Sequence, residues 1–537
     1  MKIIKNAISF NSFFLRVYKI ETNPPSLYWD EASIGYEAYS ISQTGNDMHG
    51  NNWFQAIFPA YGDYKAPIYI WLTSLSIKLL GVSQAAVRVP SVIFGTLTIL
   101  VVYLLAKKLF KNENASLYSS IFLAFLPGHI QFSRAGFEAN LAVFFIALFI
   151  YLLQLGVNNN KKIIIFASIP ALMATYSYFS ARIVIPLALI VWFFSNYKKV
   201  KKIIIPTLLL SAVFVIGLIP LFRSPYYNDA NILRLSTDSI LNNHEEVVYS
   251  NLHKENDQNS IISRIIHHRY LYSAKELLLN IGDHFEPNYL FFSGDENPRH
   301  STGFSGTMLP AYIIIFLFGI IDIFKNKKTS FYLLGLWLIF LIPASVPEET
   351  PHALRSLNST IPISLILGMG LNNFMKKRKT VLQKLLKNIY LVLIVINFVS
   401  YYFHLTNIYP KEQNLSWQDG YPQLAKYVKQ NYKNYDYTVI TPGDRLFLYT
   451  LYYSEFDPIS IQNVQKDEIR KEYPKLSITN FGKVTFKPIV WEDDQRAPTS
   501  TLFIGLPADF PEGVTIKNEI KDINGQTQFL SVDMRQQ

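Results

Sequence analysis

Long apolar stretches alternate with short polar segments over residues 7–404, and this alternation is the dominant pattern of the chain. Most stretches have about the 17–25 residues that an α-helix needs to cross the hydrocarbon core of a bilayer. The pattern predicts a polytopic α-helical membrane protein with about eleven transmembrane helices. The predicted spans are 7–20, 90–106, 115–132, 139–156, 163–179, 183–194, 203–221, 308–324, 331–346, 358–374 and 389–404, of which 7–20 and 183–194 are short for a full crossing.

Clusters of lysine and arginine fix the expected orientation of these spans. They lie at 107–111, 161–162, 198–202, 325–328 and 376–379, with two predicted spans between each successive pair. The positive-inside rule therefore places all five clusters in the cytoplasm, together with the N-terminus, which carries Lys2 and Lys5. The apolar stretch 66–82, which contains Lys78, would break this order as a crossing, so we predict an interfacial or re-entrant helix on the outer face.

Three longer segments are then expected outside the membrane: the loops 21–89 and 223–307 and the tail 406–537. In the second loop, residues 261–285 have apolar residues at helical spacing, which predicts a helix on the membrane surface. The tail combines a helical pattern at 421–432 with strand-like stretches at 437–440, 483–488, 501–506, 515–520 and 528–532. We therefore predict a transmembrane domain, 1–405, and an extracytoplasmic α/β domain, 406–537.

Composition narrows the chemistry that the chain can perform. Half of the 537 residues are hydrophobic, 17% are charged and none is cysteine, which excludes disulfides, thiolate metal sites and a cysteine nucleophile. The formal charge of +11 lies largely in lysine clusters between apolar stretches, so it indicates membrane orientation and no nucleic-acid partner. The predicted spans carry almost no ionisable residues at mid-depth, where transporters and proton pumps keep theirs.

Charged and aromatic residues instead gather at the outer ends of spans and in the outer loops, in six separate segments that can converge on one cavity. A carboxylate beside an acceptor hydroxyl or amine can act as a general base, and Asp30 with the adjacent Glu31 is the candidate. Cationic side chains can bind a phosphate leaving group, and an aromatic ring can stack on a sugar. The candidate binding residues are Asp63, Lys65, His129, Arg134, Tyr178, Arg182, Arg299, His300, His352 and Arg355.

Each of these residues also has a purely structural interpretation. Asp30 and Glu31 can cap a helix, as acidic residues commonly do after a membrane span. Lys65 can extend its amine to the membrane surface. Arg134 and Arg182 can bind lipid headgroups.

The segment that carries two of the candidates has the composition of a helix start. Thr350 can cap a helix whose first turn holds Pro351. His352 and Arg355, three residues apart, would then share one face of that helix. The adjacent histidines His267 and His268 do not share a helix face, so they do not indicate a metal site. No cofactor is predicted, and a requirement for a divalent metal stays open.

In the order of its short motifs, the chain resembles the protein O-mannosyltransferase and lipid A aminoarabinose transferase families of GT-C glycosyltransferases. In those families a Lys-Pro-Pro-Leu-Tyr-type run follows an acidic pair in the first loop. Here Asp30 and Glu31 precede the run KAPIYIWL at 65–72, in which Ala66 replaces the first proline. Further matching stretches are 81–83, 88–91, 107–110, 299–302 and 352–356, so the resemblance covers roughly residues 1–405.

The resemblance implies the GT-C fold and the inverting transfer of a sugar from a polyprenyl-phosphate donor. Asp30 would be the base and Lys65 would lie near the donor phosphate. It also implies a protein, lipid or glycan acceptor and a multi-pass protein of the plasma membrane, with the active site and the tail on the extracytoplasmic side. Two other functions stay open: a transporter or flippase of lipid-linked sugars, and a polymerase or ligase that uses pyrophosphate-linked oligosaccharides.

The arrangement of the basic clusters makes a prediction about topology. A reporter fused after Lys379 should be cytoplasmic, and one fused after Gln537 should be extracytoplasmic, because one further span lies between them. Alkaline phosphatase and fluorescent-protein fusions would measure both positions. Reporters on the same side of the membrane would contradict the eleven-span arrangement.

Overall fold

The chain before the tail is mostly helical in the computed structural model, which describes residues 2–236, 239–240, 244–376, 380–468 and 480–537. Positions 377–379 of the last basic cluster lie outside the described residues. The α-helices before the tail are α1 (Lys2–Val17), α2 (Trp29–Thr44), α3 (Pro67–Leu80), α4 (Gln84–Phe110), α5 (Glu113–Ala124), α6 (Pro127–Ser133), α7 (Glu138–Asn158), α8 (Lys162–Phe166), α9 (Ser168–Thr175), α10 (Ala181–Ser195), α11 (Val200–Gly217), α12 (Ile219–Phe222), α13 (Tyr227–Ser236), α14 (His244–Asn256), α15 (Ile261–Ile266), α16 (Arg269–Asp283), α17 (Ile313–Ile323), α18 (Lys327–Ser345), α19 (Thr360–Lys376) and α20 (Val381–Phe403).

All eleven predicted spans overlap these helices, which confirms the helical membrane class. Three spans are broken: 115–132 divides into α5 and α6, 163–179 divides into α8 and α9, and 203–221 divides into α11 and α12. By length and composition, five stretches of the described chain can cross a membrane: Gln84–Phe110, Glu138–Val157, Tyr197–Phe222, Lys327–Ser345 and Val381–Glu412. Shorter apolar helices are Pro67–Leu80, Lys162–Thr175, Ala181–Ser195 and Pro310–Ile323.

The apolar stretch 66–82 forms the single helix α3. Pro67 occupies its first position, where the missing N–H costs nothing, and Gly81 ends it with a φ of +76°. Its 14 residues reach about 21 Å, which is shorter than the hydrocarbon core of about 30 Å. This length agrees with a helix in the interface.

The first loop contains a helix, α2, that the sequence analysis does not predict. Nearly every residue from Glu31 to Ile41 is buried, so the apolar positions show no helical period. Local signals nevertheless define its ends. The Glu31 carboxylate accepts the N–H of Tyr28 at 3.2 Å, and Gly45 closes the helix with a φ of +74°.

Glycines allow α5, α17 and α19 to pack closely. A Cβ atom at Gly370 would lie 2.0 Å from the carbonyl oxygen of Ile315 in α17. One at Gly368 would lie 2.5 Å from the main-chain nitrogen of Ser119 in α5. Small residues at such crossings let helix backbones approach where lipid tails remove the hydrophobic drive for association.

The described chain forms two compact units. One contains Met1–Arg16, Ser91–Ser133 and Phe137–His404, and therefore most of the apolar helices. The other contains Val17–Pro90, Arg134–Gly136 and Leu405–Gln537, so the first loop and the tail fold together. Within this second unit, the hydroxyl of Tyr36 donates to the carbonyl of Phe456 at 3.1 Å, and that of Tyr452 donates to the carbonyl of Ser83 at 2.8 Å.

The tail has the mixed α/β composition that its sequence predicts. A short antiparallel hairpin of the first loop supplies β1 (Phe58–Ala60) and β2 (Asp63–Lys65). The tail then forms a six-stranded sheet in the order β4-β5-β3-β6-β8-β7, in which β3 is parallel to β5 and β6 and the other pairs are antiparallel. Its elements are α21 (Tyr409–Glu412), α22 (Tyr421–Asn431), β3 (Tyr437–Ile440), α23 (Leu446–Tyr453), α24 (Pro458–Glu468), β4 (Asn480–Phe481), β5 (Val484–Phe486), α25 (Trp491–Asp494), β6 (Thr501–Gly505), β7 (Asn518–Lys521) and β8 (Thr527–Asp533).

The predicted helix at 421–432 and all five predicted strands are confirmed within two or three residues at most ends. Burial alternates along β5, whereas every residue of the inner strand β6 is buried, so β6 is covered on both faces. A cluster of buried side chains supports the sheet: Val439, Ile489, Phe503, Phe510, Val532 and Met534.

The close helix packing makes a prediction about stability. Gly370→Val should lower the free energy of unfolding by about 1–3 kcal/mol or more, because a backbone carbonyl cannot move aside for the new side chain. Thermal unfolding of the detergent-purified protein would measure it. Gly282→Val is the matched control, since a Cβ atom there meets nothing within 4 Å, and equal melting temperatures for the two variants would contradict the packing argument.

Candidate active site

Three charged side chains of the first loop meet at one point. The Nζ atom of Lys65 donates to an oxygen of Asp30 and, at 3.1 Å, to an oxygen of Asp63. The Lys65 side chain is only 4% exposed, whereas those of Asp30 and Asp63 are 27% and 21% exposed. The group therefore presents two accessible carboxylates held by one buried cation.

Local structure explains why these three residues come together. Asp63 and Lys65 are two apart on strand β2, so their side chains leave the same face of the hairpin. Asp30 lies in the first turn of α2, where a negative charge is favoured by the helix dipole. Of the predicted site residues, Asp30, Asp63 and Lys65 are thus placed in direct contact.

Glu31 has surroundings that are unlike those of its neighbour Asp30. Its carboxylate is completely buried and pairs with the guanidinium of Arg88, which donates from Nε to Oε1 at 2.9 Å and from Nη2 to Oε2 at 3.2 Å. The N–H of Gly136 also donates to Oε1 at 2.7 Å. A carboxylate engaged by so many donors is suited to holding structure.

Arg88 extends this arrangement to the chain before α2. Its Nη1 atom donates to the carbonyl oxygens of Ile20 and Pro24, each at 2.9 Å, and its Nη2 atom donates to that of Ser26. The fully buried guanidinium therefore fixes the irregular segment that leads to Asp30 and Glu31. The sequence analysis includes Arg88 only in a matching stretch and does not identify this role; the available signal was an arginine just before a predicted span.

Arg134 and His129 are buried as well. Arg134 donates from Nη2 to the carbonyls of Tyr18 at 2.8 Å and Asn23 at 3.0 Å. His129 lies 2.8 Å from the guanidinium of Arg16, measured from its Nδ1. Because a guanidinium can only donate, Nδ1 accepts and His129 is neutral. Both contacts are structural in character.

Tyr178 and Arg182 flank the turn between α9 and α10. The guanidinium of Arg182 lies over the ring of Phe179, 3.7 Å from its centroid. Both predicted binding residues are partly exposed. A cation held against an aromatic ring keeps its charge available while its position is restricted.

A second cluster of predicted residues forms between two loops that the charge pattern predicts to be outer loops. Nδ1 of His300 lies 3.0 Å from Oδ2 of Asp295, and the ring of His300 is 4.9 Å from that of His352 between centroids. We call Asp295, His300 and His352 the outer-loop cluster. The sequence analysis predicts the two histidines as binding residues but not Asp295, which only the fold brings beside them.

The pKa values of this cluster follow from its burial. Burial is the largest cause that lowers the pKa of His352 to about 3, and the neighbouring His300 and Arg355 contribute to the same shift. Burial alone would raise the pKa of Asp295, but the hydrogen bond and charge of His300 outweigh it and hold that pKa below its usual value. His352 is therefore neutral and Asp295 ionised near pH 7.

The predicted helix start at Thr350 is wrong. Residues 350–356 form bends and turns, and the next regular elements are a 3₁₀ turn at Leu357–Ser359 and then α19. The Thr350 hydroxyl donates to Asp283 at 2.6 Å instead of capping a helix. His352 and Arg355 therefore do not share a helix face. Arg299, in the other loop, accepts a hydrogen bond at its carbonyl from Gln131 at 3.2 Å.

The Glu31–Arg88 pair makes a prediction about stability. Glu31→Gln and Arg88→Met should each destabilise the protein by about 3–5 kcal/mol, because each leaves one buried charge without its partner. The double variant should cost clearly less than the sum. Unfolding of all three proteins in detergent would measure this coupling, and Asp30→Asn, one residue away but partly exposed, is the control. Additive effects of the two substitutions would contradict a direct pair.

Comparison with known proteins adds independent information. Residues 64–222 match the family described as dolichyl-phosphate-mannose-protein mannosyltransferase. A dolichyl-phosphooligosaccharide-protein glycotransferase of Pyrococcus horikoshii is 30% identical over 183 residues, which are 32% of this chain and 22% of that protein. The chain thus spans less than a third of the length of the curated relatives that it matches, at 22% and 30%.

Solved structures match over much more of the chain. ArnT from Cupriavidus metallidurans bound to undecaprenyl phosphate superposes with a TM-score of 0.58 and 9% identity over 99% of this chain and 97% of that one. The oligosaccharyltransferase AglB from Archaeoglobus fulgidus, in complex with an inhibitory peptide and a dolichol-phosphate, gives 0.50 and 13% over 84% and 63%. With its helical membrane part and C-terminal sheet, this chain therefore shares the fold of these two solved structures.

Proposed function

We propose that the protein is a membrane glycosyltransferase that takes its sugar from a polyprenyl-phosphate donor. The GT-C fold and the mannosyltransferase match support this class of enzyme. The two structural relatives above carry undecaprenyl phosphate and dolichol phosphate, which supports a lipid-phosphate carrier here. The observation that carries the proposal is the contact of Asp30, Asp63 and Lys65 in the first loop.

Asp30 is the proposed catalytic base. Its side chain is accessible, whereas that of the adjacent Glu31 is fully buried against Arg88. The carboxylate takes the proton of the acceptor hydroxyl or amine while that oxygen or nitrogen attacks the anomeric carbon of the sugar. The bond from the anomeric carbon to the phosphate oxygen breaks in the same step, so the configuration inverts and polyprenyl phosphate leaves.

Lys65 is proposed to bind the carboxylates of Asp30 and Asp63 in the free protein and the phosphate leaving group during the reaction. Its ammonium balances part of the negative charge of Asp30 and Asp63 in the free protein. A phosphate that approaches Nζ would exchange one of these contacts for its own oxygen, at a point where a cation is already buried and oriented. Asp63 then keeps the ammonium in place.

Glu31 is proposed to position Asp30 without touching the substrate. The residues follow each other in the first turn of α2, so their side chains leave the helix about 100° apart. Fixing Glu31 on Arg88 directs Asp30 away from that buried pair. Arg182, Arg299 and Arg355 stay proposed contacts of the donor phosphate, and Tyr178 a proposed contact of the sugar or lipid.

Several aspects of the reaction are proposed from the sequence pattern. The acceptor is a protein, lipid or glycan, and the transferred group is a hexosyl or pentosyl residue. The positive-inside rule supports an active site on the extracytoplasmic side of the plasma membrane. Chemistry there needs no nucleotide sugar, since lipid-linked donors are available at the membrane.

An oligosaccharide-pyrophosphate donor is the second candidate. The Pyrococcus horikoshii relative is named a dolichyl-phosphooligosaccharide-protein glycotransferase, which supports an oligosaccharide as the transferred group but does not specify a pyrophosphate linkage. A donor panel that contains both monophosphate-linked sugars and pyrophosphate-linked oligosaccharides separates the two functions by the lipid product that is released.

Asp30→Asn should abolish transfer without loss of folding. Removal of a general base lowers the rate by about 100-fold to 10 000-fold. Purified protein in lipid is incubated with radiolabelled polyprenyl-phosphate sugars, and release of polyprenyl phosphate is measured. Monodisperse elution and thermal unfolding show that the variant is folded.

Asp229→Asn is the matched control, because Asp229 is an exposed aspartate of the second outer loop. It should keep wild-type activity. Wild-type turnover in folded Asp30→Asn would remove Asp30 from the mechanism. Release of polyprenyl pyrophosphate alone would show that the donor is a pyrophosphate-linked oligosaccharide and not a monophosphate-linked sugar.

A further inference from the structure

We propose that the outer-loop cluster is a binding site for a first-row divalent cation, with Zn²⁺ as the best match. Asp295, His300 and His352 would be its protein ligands. The inference rests on the geometry of these three residues and not on the proposed glycosyl transfer, so either can fail without the other.

The ligand atoms are already close to one another. One donor atom from each of the three residues lies within 4.8 Å of the others. In tetrahedral Zn²⁺ sites with bonds of about 2.0–2.1 Å, neighbouring donors are about 3.3 Å apart. Oδ2 of Asp295 and Nδ1 of His300, at 3.0 Å, are near that spacing. The other distances between donor atoms need to shorten by about 1.5 Å at most for all three residues to reach this spacing.

Neighbouring main-chain groups hold the carboxylate in place. The N–H of Ala353 donates to Oδ2 of Asp295 at 2.7 Å, and the N–H of Asn297 donates to Oδ1 at 2.8 Å. The bond from Ala353 ties the loop of Asp295 and His300 to the loop of His352, and the bond from Asn297 orients the carboxylate within its own loop. Such supporting hydrogen bonds are typical of metal ligands, whose orientation they fix before the ion arrives.

His284 supports the loop that carries His352. Its Nε2 atom accepts the main-chain N–H of His352 at 3.1 Å, while Nδ1 lies 2.8 Å from the carbonyl oxygen of Asn280. One ring nitrogen therefore accepts and the other donates, which defines its tautomer. His284 is engaged at both nitrogens, so it acts as a support and the three cluster residues remain the ligand set.

Space for a further ligand lies next to the cluster. Asp295 and His300 line a small crevice of about 20 Å³, together with the polar residues Ser301, Thr302 and Thr307. This volume holds about one water molecule. Three protein ligands leave at least one coordination position of Zn²⁺ for water or an anion. The site is thus of the open kind and not a closed structural one.

The donor set selects among cations. Two imidazoles and one carboxylate suit Zn²⁺ and its first-row neighbours, whereas Mg²⁺ and Ca²⁺ require mainly oxygen ligands. In the sequence, His352 lies in a different loop, far from Asp295 and His300, so no local spacing indicates this set of ligands. Only the folded loops place them together.

The test measures binding directly. Full-length protein without a histidine tag is purified in detergent, treated with a chelator and titrated with ZnCl₂ by calorimetry. Bound zinc is then counted by mass spectrometry after gel filtration. We expect one Zn²⁺ per chain, retained in excess Mg²⁺. Binding that is below one equivalent, or that is displaced by Mg²⁺, would overturn the proposal.

Variants show whether the cation binds at the cluster. His300→Ala and His352→Ala should each weaken Zn²⁺ binding at least about 100-fold, and Asp295→Asn at least about 10-fold. His268→Ala is the matched control, because it removes an exposed histidine of the same outer loop and should bind like the wild type. Unchanged binding by His352→Ala would overturn the assignment.

Thermal unfolding keeps the test decisive if a variant is less stable. Added Zn²⁺ should raise the melting temperature of the wild type and of His268→Ala, because it binds the folded state. The same addition should leave folded His352→Gln unchanged. A zinc-dependent rise in that variant equal to the wild-type rise would place the cation elsewhere and sink the proposal.

Discussion

The buried ion pair between Glu31 and Arg88 is the constraint on which the first-loop site depends. Both side chains are completely inaccessible, and taking two charges out of water is expensive unless every donor and acceptor is used. Here they are used. The carboxylate also accepts from Gly136 and Tyr28, and the guanidinium also donates to three main-chain carbonyls.

The consequence of this pair is positional more than energetic. A buried ion pair contributes little net stability compared with apolar residues of the same shape, yet removing one partner is costly. It therefore specifies one arrangement of the segment before α2. Gly136 shows how close that arrangement is, since a Cβ atom there would lie 3.0 Å from the side chain of Glu31.

Two adjacent carboxylates thus acquire different roles from helix geometry alone. Successive residues on a helix point about 100° apart, so a helix that buries Glu31 cannot also bury Asp30 in the same place. Lys65, itself buried, then meets the partly exposed Asp30 and Asp63. Because Lys65 is buried, its ammonium is less hydrated than that of an exposed lysine. The fold therefore concentrates three charges at one point.

Much of the architecture could be predicted from the sequence. Runs of apolar residues determine membrane helices locally, because unsatisfied backbone groups in lipid leave no alternative to a helix. The strands of the tail could be found because short stretches rich in β-branched and aromatic residues favour strands. Asp30 and Lys65 are predicted site residues because of the polar clusters at the ends of the spans and the resemblance to a family pattern, and not because of any periodicity.

Only the tertiary structure decided the rest. Helix α2 is buried on nearly every side, so its sequence shows no amphipathic period. Thr350, which the sequence predicts as a helix cap, donates its hydroxyl to Asp283 instead. The partner of Glu31 lies 57 residues away, and Asp295 and His352 are likewise distant in the chain. Local sequence patterns determined the helices and strands, because the interactions that favour these elements join residues that are close in the sequence. The pairing of charges depended on which distant segments the folded chain brings together.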